Sequence, residues 1–146
     1  MTTTDNLLNS VDTLNEQYDT WYRDFHNRVH VWTGDCGVRA AEVVLKLPYL
    51  VELMLNLGSD SRLSDDTRRD FQTKAASIMR GIEFLPDNSA SIVPLSQDSL
   101  KAAKTLEVHY HQISGDVLDT HWRSSEDLSR TIHYVVHEQD DWSPRC

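Results

Sequence analysis

At 146 residues and a net charge of −9, the chain has the size of one domain, and a domain of that size buries a core without disulfide staples. The acidic balance argues against DNA or RNA as the main ligand, because phosphate contacts need clustered Lys and Arg; it leaves room for a basic protein partner or for mimicry of nucleic acid. No apolar run approaches the ~18–20 residues of a membrane span, and Met1-Thr2-Thr3-Thr4-Asp5 lacks the basic start and apolar stretch of a secretory signal, so a cytoplasmic location away from membranes is expected.

The first helix is written as a stripe. Leu7, Val11, Leu14, Tyr18, Trp21, Tyr22, Phe25 and Val29 recur at spacings of three and four, which places them on one face. Thr4 or Asp5 caps its start and Gly34 marks its end. The second helix runs from Gly37 to Gly58 and carries Val44, Leu45, Leu47, Leu50, Val51, Met54 and Leu57. It is apolar around more than half its circumference, so it is expected to be the central element. Pro48 removes a backbone donor inside it and predicts a kink or break.

Ser64 is a good N-cap for a third helix, with Asp65 and Asp66 in the dipole-favoured first turn. Phe71, Ala75, Ile78, Met79, Ile82 and Leu85 form its buried stripe, and Pro86 ends it. Residues 86–95 read as an ordered loop whose Ile92, Val93 and Leu95 tuck onto the core. A fourth helix starts at Ser96 with Asp98 in its first turn, and Gly115 ends or bends it. A short segment with Val117, Leu118 and Trp122 follows. A fifth helix starts near Ser125 and carries Leu128, Ile132, Val135 and Val136. The whole is an all-α, single-domain bundle of about five helices over residues 1–138, followed by a flexible polar tail over 139–146. Cys146 ends the chain, so a bridge to Cys36 is not expected.

The middle of the chain carries a leucine helix, Leu50-Val51-Glu52-Leu53-Met54-Leu55, then Asp60-Ser61-Arg62-Leu63-Ser64 leading into Thr67-Arg68-Arg69, then the turn Gly81-Ile82-Glu83-Phe84-Leu85-Pro86-Asp87 with Gln97-Asp98 ten residues on. Over residues 50–106 this resembles the YkvA-like domain, a family of unknown function. Glu83 and Gln97 stand where that pattern has Asp. The resemblance implies a helical core and a carboxylate cluster near Pro86, and no activity.

Three sets of residues invite chemistry. Glu83, Asp87 and Asp98 are oxygen ligands suited to a hard cation if they meet, or else turn and capping residues. His26 with His30, and His133 with His137, have i, i+4 spacing, which puts both rings of a pair on one helix face within reach of a metal. Convergence would need the first and fifth helices to be neighbours in the right rotation, and surface histidines are the simpler reading. Tyr18, Trp21, Tyr22 and Trp32 crowd the first helix; where the bundle does not cover them, they form a patch of the kind that anchors protein interfaces. No Gly-rich phosphate loop and no nucleophile–base set is visible. No cofactor is expected. The leading expectation is a non-catalytic adaptor or regulator that binds a protein partner, with an inhibitor or accessory of a bacterial or phage stress or defence system as one form it could take. The competing one is a metal-dependent helical-bundle enzyme using the histidine pairs.

Overall fold

The computed structural model describes residues 3–32, 38–81 and 92–137, and these are helical with no strand. The elements are α1 (Thr3–Trp32), α2 (Val38–Leu45), α3 (Leu47–Gly58), α4 (Asp65–Gly81), α5 (Ile92–Tyr110), α6 (Gly115–His121) and α7 (Ser125–His137). The expected all-α bundle is what the chain forms. α2 and α3 are the two arms of one bent helix, and the short segment after Gly115 is a helix of its own, so the described residues hold six helices, one of them bent. None is long and apolar enough to cross a membrane.

Pro48 explains the bend. Its missing N–H and its ring rule out a continuous ladder back to Val44. The chain breaks at Lys46 and restarts, so that Pro48 falls within the first turn of α3, where its lost donor costs nothing. Lys46 closes the joint, donating from its N–H to the Val43 carbonyl at 3.2 Å and accepting from the Leu50 N–H at 3.1 Å.

α3 is the centre of the molecule, as its all-round apolar sequence requires. Leu47, Leu50, Val51, Leu53, Met54, Leu55 and Leu57 are all buried, and the helix packs against α1, α2, α4, α5 and α6. Its last residue, Gly58, lets α4 come close. A Cβ there would stand 2.9 Å from Gln72 Cγ, and Gln72 Nε2 donates to the Gly58 carbonyl at 2.6 Å. The orphan carbonyl of a helix end is thereby satisfied from inside the core.

Ser64 caps α4 as expected, accepting from the Thr67 N–H at 3.3 Å, with Asp65 and Asp66 in the first turn. Arg68, buried on that helix, is held by Asp65. α7 begins the same way, with Ser124 Oγ accepting from the Asp127 N–H at 3.0 Å.

Two boundaries differ from the sequence reading. α5 starts at Ile92 rather than Ser96, because Pro94 within a first turn needs no donor and does not oppose the helix. Leu95 is therefore buried as a helix residue, not as part of a loop. Gly115 neither ends nor bends α5, which stops at Tyr110; Gly115 opens α6. Residues 33–37, 82–91 and 138–146 lie outside the described residues, and with them Cys36, Cys146, Gly34, Pro86 and the tail expected to be flexible.

Candidate binding cleft

The bend at Lys46 shapes a broad depression. A cleft of about 700 Å³ opens between the α2–α3 joint and the α6–α7 corner. Leu45 and Tyr49, on either side of the break, contribute apolar surface that is 44% and 60% exposed, and Leu53 and Trp122 continue it inward. Glu42, Glu52, Lys46, Arg123 and Asp127 supply charge around them.

Much of the rim is fixed before any ligand arrives. Trp122 Nε1 donates to Asp127 Oδ2 at 2.6 Å. Tyr134 donates to Glu42 Oε2 at 3.2 Å, and Lys46 Nζ lies 5.8 Å over the Tyr134 ring. The corner behind is tied by Ser125 N–H to Asp119 Oδ1 at 2.5 Å and by Tyr110 Oη to the Ser125 carbonyl at 2.8 Å.

Beside the cleft lies a charged knot. Asp60, in the turn after α3, has a carboxylate only 7% exposed. Arg62 grips it through Nη2 at 2.6 Å, Nε at 2.9 Å and its backbone N–H at 2.9 Å, and His121 Nε2 reaches it from α6 at 2.8 Å. The Arg62 side-chain bonds hold the Asp60 carboxyl well below the ordinary carboxylate range, with help from His121 and against the opposing effect of burial. Sixty-one residues separate Asp60 from His121, so no local pattern announces the pair. It anchors α6, whose His121 lines the cleft, to the α3–α4 turn.

A histidine–aspartate pair in a cleft is also half of a hydrolytic device, but the other half is missing among the described residues. The threonine hydroxyls that line the cleft are spent on their own helices: Thr120 donates to the Asp116 carbonyl at 2.9 Å and Thr131 to the Asp127 carbonyl at 3.0 Å. With His121 Nε2 on Asp60, no serine, threonine or cysteine side chain stands against an available base there.

The aromatic residues expected to form an interaction patch divide. Trp21 is 4% exposed and stacks on buried Phe25, with ring centroids 5.4 Å apart; it belongs to the core and is withdrawn from the patch. Tyr18 is half-buried and donates to the Pro48 carbonyl at 3.1 Å, locking α1 onto the bend. Burial first, and the Glu52 carboxylate next, push its phenol well above the ordinary tyrosine value. Tyr22 is exposed, one residue and about 100° further round the helix than Trp21. The Tyr22 ring lies 6.1 Å from that of Tyr18, whose hydroxyl bonds to Pro48, the chain neighbour of exposed Tyr49. The side chain of Trp32 lies outside the described residues. Sequence reasoning missed Tyr49 and Leu45; the signal was Pro48, because a broken helix exposes residues that a straight one would bury.

Among the described residues nothing brings the two histidine pairs together. α1 packs on α3 and α4, whereas α7 packs on α5 and α6. His26 is exposed and stacked on Tyr22, centroids 6.3 Å apart; the side chain of His30 is outside the described residues. His133 and His137 are exposed neighbours with rings 5.0 Å apart, and His137 Nε2 is paired with Glu107 Oε2 at 2.9 Å. Among the described residues no group of three or more His, Cys, Asp or Glu side chains is placed to hold a metal.

Of the three carboxylates near the turn, Glu83 and Asp87 lie outside the described residues. Asp98 does not cap its helix as expected: with α5 starting at Ile92, it sits in the second turn. Burial raises its carboxyl to about 6, opposed by Lys101. An acid whose folded value lies above its unfolded value costs the fold nothing below pH ~4 and costs progressively more as pH rises toward ~6. Asp98→Asn is therefore expected to stabilise the protein by on the order of 1–2 kcal/mol above pH 7, discounted for partial solvation, and to do little at pH 4. Urea midpoints at the two pH values check this; a variant no more stable than the parent at pH 7 contradicts it.

Comparison with known proteins finds no family model that matches the chain, and no curated protein or solved structure similar to it.

Proposed function

We propose that the protein is a non-catalytic adaptor or regulator that seats a segment of a protein partner in the cleft between the α2–α3 bend and the α6–α7 corner. The observation that carries this reading is the pairing of exposed Leu45 and Tyr49 with a cleft of about 700 Å³ whose rim is already held in place. A tyrosine and an aliphatic side chain at the mouth of a pre-ordered depression are the elements from which interface anchors are made. The mixed charges around them, Glu42, Glu52 and Asp127 against Lys46 and Arg123, suit a polar rim that fixes orientation. The spent hydroxyls beside His121 favour binding over hydrolysis.

Leu45→Glu and Tyr49→Glu add charge at exposed positions, so each is expected to melt within a few degrees of the parent while losing at least tenfold in affinity for whatever protein the wild-type chain retains from its native cell. Retention of the same partner by both folded variants would remove the cleft from the account.

A further inference from the structure

On the far side of α5 from the α6–α7 corner, a second surface has the opposite character. The chain has four lysines, Lys46, Lys74, Lys101 and Lys104. Three of them, Lys74 from α4 with Lys101 and Lys104 from α5, line one shallow groove of about 470 Å³. All three are exposed, and none forms a salt bridge with a carboxylate among the described residues. The one acid lining the groove, Asp70, is engaged by His109 Nε2 at 2.6 Å. That ring is held in turn against buried Phe71, centroids 4.8 Å apart. That lining acid is thus turned to a fold partner; the half-buried Asp98 carboxyl, three residues before Lys101 on α5, also feels the Lys101 ammonium, and three lysines outnumber the one acid that lines the groove. Between them lie apolar contacts: Leu100, half-buried, and Val108, 67% exposed.

We infer that this groove binds an acidic, amphipathic helical segment of a protein partner, with carboxylates on Lys74, Lys101 and Lys104 and an apolar side chain on Leu100 and Val108. Charge complementarity selects the occupant. On a chain of net charge −9, three ammonium groups that line one groove, none of them salt-bridged among the described residues, form a basic patch that steers and orients a short anionic segment. A nucleic acid strand fits worse, since its charge repeats every few ångströms and would extend past three lysines on a chain of net charge −9. Val108 and Leu100 also ask for an apolar side chain, which a phosphate backbone does not bring. The site is separate from the cleft described above, and it makes an adaptor with two chemically distinct faces.

The test is fluorescence anisotropy of the full chain at low and at physiological salt. The probe is a labelled peptide of helical repeat with glutamates flanking a leucine stripe. Its glutamate-to-lysine counterpart and a labelled single-stranded oligonucleotide of similar charge are run beside it. Saturable binding of the acidic peptide is expected, weakening with salt and falling about tenfold or more in Lys101→Glu/Lys104→Glu. Val108→Ser should lose severalfold with the salt dependence unchanged. The inference is overturned if the acidic peptide shows no saturation up to ~1 mM. It is also overturned if the oligonucleotide binds more tightly, or if the lysine double variant binds as the parent does. Loss of peptide binding in Tyr49→Glu would place the peptide in the other cleft and overturn it too; failure of the cleft reading with these results intact leaves the groove standing.

Discussion

Leu50→Asp is expected to unfold the protein. Leu50 is fully buried on α3, the helix that touches α1, α2, α4, α5 and α6. A carboxylate placed there has no partner and no water, and an unpaired buried charge costs several kcal/mol. A domain of this size holds only ~5–15 kcal/mol in reserve. Met54, one turn on and equally buried, is expected to respond alike to Met54→Asp. Far-ultraviolet circular dichroism during heating measures the result. The expected trace has little or no cooperative transition; a Leu50→Asp protein that melts like the parent would refute the assignment of α3 as the core.

Phe71→Ala is the second large effect. Phe71 is fully buried on α4 and supports the His109 ring. Removing it leaves a cavity that neighbouring helices fill only in part, at about 3–5 kcal/mol, or a fall in melting temperature on the order of 10 °C. It also takes away the surface that positions His109 toward Asp70. The variant is thus expected to differ from an exposed substitution such as Val108→Ser, which should stay within ~0.5 kcal/mol of the parent. Equal stability of the two would mean that the Phe71 site is not packed as described.

What the sequence made legible is local. Pro48 foretold the break, and Ser64 with Asp65 and Asp66 foretold the start of α4, because capping and proline chemistry act within one turn. The all-round apolar composition of α3 foretold its central place. Where the chain had to choose between neighbours on one face, the signal thinned. Trp21 and Tyr22 are adjacent, yet one is core and the other solvent-facing, and periodicity alone does not fix the rotation that decides it. The capping role read for Asp98 failed because a helix start moved by four residues changes a capping position into an interior one.

The site was less legible than the fold, since it depends on pairs far apart in sequence. His109 and Asp70 are 39 residues apart, and His121 and Asp60 are 61 apart. Lys74 joins Lys101 and Lys104 only when α4 and α5 lie side by side. Net charge alone suggested no basic cluster; packing made one. His133 and His137 are a real pair on α7, but the main packing partners of α1 are α3 and α4 whereas those of α7 are α5 and α6, and no spacing encodes that.

The central claim, that the cleft at the bend is a protein-binding surface, is tested most directly by site-specific photo-crosslinking in the native cell. A photoreactive phenylalanine analogue is placed at Tyr49, at the mouth of the cleft, and at Thr73, exposed on α4. The account predicts a discrete crosslinked protein from position 49 that is lost when Leu45→Glu is combined with it, and no such product from position 73. Equal crosslinking from both positions, or none from position 49, would contradict it.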